Sequence, residues 1–105
     1  MTIQNNDEYP KYIKMSGLPV MLQGWNTKYY KTNNLSDGVP TYRIDSYTLY
    51  FLIPIYGATI KRVNGKWVLA RDHAFEQNVM EKQSSGSVFP YGTWDFGSQV
   101  VPVYE

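Results

Sequence analysis

No cysteine occurs among the 105 residues, so disulfides and thiolate metal sites are unavailable and a disulfide-built secreted scaffold is excluded. Histidine is nearly as scarce: His73 is the only one. Any general base or zinc site must therefore pass through Arg71-Asp72-His73-Ala74-Phe75-Glu76. On a helix His73 and Glu76 would share a face at i and i+3, with Asp72 able to orient the ring. Zinc needs more ligands than these, and neither a complete metal motif nor a Gly-x-Ser-x-Gly nucleophile elbow occurs. The expectation is a protein that is not an enzyme and carries no metal or other cofactor.

Neither sign of charge dominates: ten Lys and Arg face nine Asp and Glu, for a formal net charge of +1. Nucleic-acid binders show a clearly basic surface, so no nucleic-acid partner is expected. The nearest basic cluster, Lys61-Arg62 with Lys66 and Arg71, reads as the solvated face of a hairpin. No apolar run approaches the roughly 18 residues needed to span a bilayer. The longest, Leu49 to Ile55, is of strand length and contains Pro54. The polar N-terminus lacks the cationic and apolar regions of a signal peptide. These absences predict no membrane partner and an intracellular or virion location.

What the chain does have is aromatic rings. Tyr 10, Trp 3 and Phe 4 make up 16% of the residues, and each enclosed ring buries roughly 150–250 Å². Many recur beside glycines or turn residues, as in Asn26-Thr27-Lys28-Tyr29-Tyr30, Gly38-Val39-Pro40-Thr41-Tyr42, Gly65-Lys66-Trp67 and Pro90-Tyr91-Gly92-Thr93-Trp94. At this length one domain with one core is expected. Flat rings on short strands would supply that core.

Residues 1–11, polar and containing Pro10, predict a flexible N-terminal arm; residues 12–105 form the single β domain. Tyr12-Ile13-Lys14-Met15 alternates as a strand and stops at Ser16-Gly17, and Val20 to Gln23 is a candidate to pair next. Tyr29-Tyr30-Lys31 opens a strand with one ring inward and one outward. Thr32 to Gly38 is dense in turn residues and reads as a loop. Thr41 to Ile53 reads as two strands around a turn at Asp45-Ser46, or as one long bent strand. Asn64-Gly65, flanked by Ile60-Lys61-Arg62-Val63 and Lys66 to Arg71, is the signature of a type I′ hairpin, whose two central residues both need positive φ. Asp72 to Lys82 leaves a short helical turn and an irregular strand open as alternatives. Val100 to Tyr104 reads as an edge strand, the position that tolerates Pro102. The fold class is all-β: a single small antiparallel barrel or sandwich of roughly six to eight short strands, with at most one short helical turn near residues 72–82.

In order along the chain, Asn26-x-x-Tyr29, Asp37-Gly38-Val39-Pro40-x-Tyr42, Leu49-Tyr50, Gly65-x-Trp67-Val68-Leu69 and Gly92-x-Trp94 resemble a small aromatic-rich β repeat module found in uncharacterised proteins of algae, protists and large DNA viruses. The resemblance spans roughly residues 13 to 104. Thr27 stands where the pattern prefers Gly, and the stretch Pro54 to Thr59 is longer than usual. The resemblance implies a compact β unit and a viral or protist source, and carries no biochemical role. Tyr29, Tyr42, Tyr50, Trp67 and Trp94 are the expected core posts.

The function expected is a noncatalytic interaction or structural protein, with a minor virion or capsid-associated component of a large DNA virus as the finer version. A protein partner or self-association would use the Val100–Tyr104 edge and rings left off the core. Trp25, Tyr56 and Tyr91, each next to turn residues, are the candidate patch. The alternative is a carbohydrate-binding module stacking sugars on exposed Trp and Tyr.

Overall fold

A computed structural model describes residues 9–50, 53–71 and 77–104. The chain is all-β. Among the described residues eight strands occur in the order β1 (Tyr12–Ser16), β2 (Lys28–Ser36), β3 (Val39–Tyr50), β4 (Ile53–Val63), β5 (Lys66–Arg71), β6 (Gln77–Glu81), β7 (Gly92–Thr93) and β8 (Gln99–Val103). They form one antiparallel sheet ordered β6-β5-β4-β3-β2-β1-β8-β7, curled into a half-barrel. Its two edges meet where Lys82 bridges Trp94 and the Gln83 N–H donates to the Thr93 carbonyl at 2.9 Å.

Two tight hairpins set the register. Val63 pairs with Lys66 across Asn64 (φ 51°) and Gly65 (φ 83°), the expected paired positive-φ turn. Ser36 pairs with Val39 across Asp37 (φ 55°) and Gly38 (φ 81°), a turn of the same kind. The expected loop over Thr32 to Gly38 is thus mostly strand: β2 runs to Ser36 with a register shift between Lys31 and Leu35. Polar Asn33 and Asn34 are tolerated there because both are exposed. Asp37 joins the two hairpin tips, its Oδ2 accepting from Arg62 Nη1 at 2.8 Å and from the Gly65 N–H at 2.9 Å.

Alternation along β1 sends Ile13 and Met15 inward and Lys14 and Ser16 outward. Tyr29 is buried and its neighbour Tyr30 exposed, as expected. Tyr42, Trp67 and Trp94 also lie in the core; the side chain of Tyr50 falls outside the described residues. Val20 to Trp25 is a 3₁₀ turn packed on β3, not the strand its apolar residues suggested. A second 3₁₀ turn, Asp95–Gly97, joins β7 to β8. Of the stretch expected to contain a helical turn, residues 77–81 are strand β6, held by pairing Leu69↔Met80 and Ala70↔Asn78, while 72–76 lie outside the described residues.

The aromatic side chains serve two purposes at once. Their rings fill the core, and their polar atoms bind backbone carbonyls of segments that are not in the sheet. Trp94 Nε1 donates to Pro90 O at 2.8 Å, Trp67 Nε1 to Ser87 O at 3.1 Å and Tyr9 Oη to Val88 O at 2.7 Å. These three bonds tie the segment between β6 and β7 across the gap in the half-barrel. Tyr42 Oη likewise holds Pro10 O at 2.8 Å, and Tyr29 Oη holds Trp25 O at 2.9 Å. The end of the expected N-terminal arm belongs to the domain: Tyr9 is 3% exposed and its carbonyl accepts from Lys31 Nζ. Residues 1–8 lie outside the described part.

Candidate functional site

The longest hairpin, β3–β4, changes character half-way along. At its base Arg43↔Thr59 and Ile44↔Ala58 pair with β2 and β5 on either side. The register then shifts so that Asp45 and Ser46 stand opposite Gly57 alone, whose φ is +97°. This is a β-bulge, in which two residues of one strand oppose one of the other. No turn stands at Asp45-Ser46: the strand continues bent through the bulge as far as Tyr50, while Ile53, expected in the same run, opens β4. Beyond the bulge Tyr47↔Tyr56, Thr48↔Ile55, Leu49↔Pro54 and Tyr50↔Ile53 pair only with one another among the described residues. In the run Tyr47 to Tyr56 every residue except Thr48 is apolar or aromatic, and none is charged. Asp45 marks the boundary, held by Arg43 Nη2 at 3.0 Å and by the Tyr30 hydroxyl at 3.1 Å.

An uncharged two-stranded ribbon that pairs with no further strand among the described residues is unusual in a domain with 18% charged residues. Two strands alone cannot bury both of their faces, which is why isolated hairpins are marginal in water. Pro54 adds a constraint on how such a ribbon meets a neighbour. Lacking an N–H, it leaves β4 one backbone donor short at this position of the ribbon.

Of the three residues expected to form an exposed patch, two turn inward. Trp25 is 0% exposed, closing the 3₁₀ turn over the core beside Tyr29, and its indole N–H is buried with no acceptor. It cannot offer a ring face to a ligand. Its burial follows from the turn folding back on β3, a non-local contact that its place beside Gly24 did not reveal. Tyr91 is half-buried, stacked on Phe89 with ring centroids 5.4 Å apart and 12° between planes; Phe89 in turn meets Tyr9 at 4.8 Å. The Tyr91 hydroxyl is enclosed without a well-formed hydrogen bond, and burial, reinforced by the neighbouring Tyr104, pushes its ionisation well above the ordinary tyrosine range. Tyr56 occupies the ribbon opposite Tyr47, and its side chain lies outside the described residues. So do His73 and Glu76.

The basic cluster is largely engaged. Arg62 pairs with Asp37 at 2.8 Å and also donates from Nε to Ser87 O, while Lys66 pairs with Glu81 at 3.1 Å. Among the described residues no group of three His, Asp or Glu is placed to hold a metal ion, and no helix is long and apolar enough to cross a membrane.

One ring absent from the expected patch is displayed outright. Phe96 is 59% exposed at φ 64°, a conformation that costs a non-glycine residue about 1–2 kcal/mol. Its turn is firmly anchored: the Asp95 carboxylate accepts from the Glu81 N–H and from Gln83 Nε2, and Asp95 O accepts from Ser98 Oγ at 2.8 Å. The sequence signal is the pair that flanks the ring, turn-forming Asp95 before it and Gly97 after it. Replacing Phe96 with glycine is expected to raise stability by roughly 0.5–1 kcal/mol, since the relieved strain exceeds glycine's entropic cost. Chemical denaturation at neutral pH would reveal the gain, and an unchanged midpoint would show that the ring repays its strain through packing.

Comparison with protein-family models, with curated proteins and with solved structures finds no match.

Proposed function

We propose that this protein is a noncatalytic interaction or structural component that docks through the β3–β4 ribbon. The observation that carries the reading is the uncharged run Tyr47 to Tyr56, paired with itself alone beyond the bulge. Water opposes that arrangement, and a covering surface reverses the sign: each fully buried Leu or Ile side chain contributes about 1.5–3 kcal/mol. The partner class is a protein surface, with a second copy of this chain as the simplest case. The finer version, a minor virion component of a large DNA virus, rests on the aromatic-module resemblance alone. The expected contribution of an edge strand at β8 is reduced by geometry. β7 already covers Gln99 and Val100, and Pro102, opposite Ile13, has no N–H to offer an added strand. A carbohydrate-binding reading loses its leading platform with Trp25 in the core, and no contact favours it.

Sedimentation equilibrium of the full chain over a wide concentration range tests the proposal. Self-association is expected in the wild type, and Leu49→Lys with Ile53→Lys is expected to weaken it by at least about tenfold per site while leaving the circular dichroism unchanged. A wild type that stays monomeric and binds no more of a hydrophobic dye than the double variant would overturn it.

A further inference from the structure

Asn64-Gly65 is the only Asn-Gly step in the chain, and this pair of residues has a chemistry of its own besides its turn. Once the glycine amide nitrogen gives its proton to a base it can attack Cγ of the asparagine, and glycine, with no Cβ, leaves that approach unhindered. The bond from the nitrogen to Cγ forms, the bond from Cγ to the side-chain nitrogen breaks, and ammonia leaves. Water then opens the resulting succinimide at either carbonyl to give aspartate or isoaspartate. Water is taken up and ammonia released, with no oxidant or reductant. Asn64 is exposed at the tip of the β4–β5 hairpin, where solvent base and water reach it.

Two features of the fold oppose the reaction. Asn64 (φ 51°) and Gly65 (φ 83°) form a turn closed by the Val63↔Lys66 pair, and ring closure swings the Gly65 nitrogen out of that turn. The tip must open first. The second feature is Asp37, whose Oδ2 accepts at 2.9 Å from the Gly65 N–H, the very proton that the reaction removes. A carboxylate acceptor makes that bond a strong one, and it must break before the nitrogen can act. Arg62 Nη1 holds the same oxygen at 2.8 Å and keeps the carboxylate in place. We propose that Asn64 is a site of spontaneous deamidation that the Asp37 carboxylate holds in check. The modification reaches beyond the turn, because isoaspartate adds a methylene to the main chain inside a two-residue loop. Gly65 O accepts from the Gly86 N–H at 2.7 Å and Arg62 Nε donates to Ser87 O, so loosening the tip also loosens the segment between β6 and β7. The site is separate from the ribbon and does not depend on the docking reading.

Peptide-mapping mass spectrometry of the full chain, aged in mildly alkaline buffer, tests this against the same chain aged in urea. Folded wild type is expected to lose ammonia at Asn64 at least about tenfold more slowly than the unfolded chain, the equivalent of one charge-assisted hydrogen bond. Asp37→Ser is expected to recover most of that difference with near-ultraviolet circular dichroism intact; serine is chosen because asparagine there would make a second Asn-Gly step. Ile13→Val loosens the core on β1 and leaves Asp37 in place, so its rate is expected to match the wild type if the tip opens locally. Hydrogen exchange of the Gly65 amide in the wild type needs no variant and keeps the test decisive if Asp37→Ser fails to fold. Strong protection is expected there, and faster exchange at Gly86 in the isoaspartate form. A wild-type rate equal to that in urea, an unprotected Gly65 amide, an Asp37→Ser rate no faster than wild type, or an Ile13→Val rate as fast as Asp37→Ser would overturn the proposal. Unchanged exchange at Gly86 would overturn its reach to the neighbouring segment.

Discussion

Trp94→Ala is expected to remove about 3–5 kcal/mol of stability, a large share of the roughly 5–15 kcal/mol available to a domain of this size. Three separate roles converge on this residue. Its ring is 0% exposed within the core, its indole N–H holds Pro90 O, and its backbone forms the Lys82 bridge that joins the sheet edges while its N–H donates to Ser98 O at 2.8 Å. Alanine keeps the backbone bonds and loses the other two. The loss therefore concentrates at the segment between β6 and β7, whose remaining side-chain ties are those of Trp67, Tyr9 and Arg62. Denaturant titration gives the global loss, and hydrogen exchange over residues 83–91 locates it. Trp94→Phe retains most of the volume but not the donor, so it should show the faster exchange with a clearly smaller global loss. Exchange no faster than wild type in Trp94→Ala would mean that the loop is fixed by other contacts.

Raising the pH is expected to unfold the protein steeply above pH 10. Tyr29 and Tyr42 are both fully buried, and burial pushes the ionisation of each far above its ordinary value near 10. For Tyr42, the neighbouring Tyr91, Tyr9 and Tyr104 add to the effect. The folded state keeps these protons while the unfolded chain releases them, so the unfolded state binds fewer protons and stability falls as pH rises. Their stabilisation is complete below pH 10, and above it each costs about 1.4 kcal/mol per pH unit, or roughly 3 kcal/mol per unit together. Tyr91 acts in the same direction with a smaller weight because it is only half-buried. Absorbance at 295 nm should rise in two stages, the exposed tyrosines first and the buried ones only as near-ultraviolet circular dichroism collapses. A single smooth rise complete by pH 11 with dichroism intact would contradict this.

How much was legible in the sequence is clearest at the two positive-φ turns. Asn64-Gly65 stands between alternating runs that announce strands, and it forms the expected turn. Asp37-Gly38 performs the same turn but follows polar residues that read as loop, because the strand they form is held by pairing and not by an apolar face. Burial at Tyr29, Tyr42, Trp67 and Trp94 followed from alternation and turn spacing. Trp25 defeated the same reasoning, because a residue beside a glycine is exposed only if its turn stands away from the sheet. Of the expected patch, Trp25 is buried and Tyr91 half-buried, while the side chain of Tyr56 lies outside the described residues; Phe96, in a three-residue turn with no period, gives little to read. Strand β6 was ambiguous for a related reason: Gln77 to Glu81 has helix-forming composition, and pairing with β5 overrides it.

Local chemistry alone determined the all-β class, the hairpin at Asn64-Gly65, the absence of thiol chemistry and the dependence of the core on aromatic rings. Each of these is set by residue type, by the two-residue period of a strand or by the φ angles that a turn requires, none of which needs distant contacts. Tertiary structure decided the rest: that the sheet curls until Lys82 meets Trp94, that indole and phenol donors lash the loops across the gap, and that Trp25 folds inward. It also left the run Tyr47 to Tyr56 paired only with itself among the described residues. Burial, pairing and the supply of a counter-charge depend on what lies next to a residue in space, and in a half-barrel those neighbours come from strands far apart along the chain.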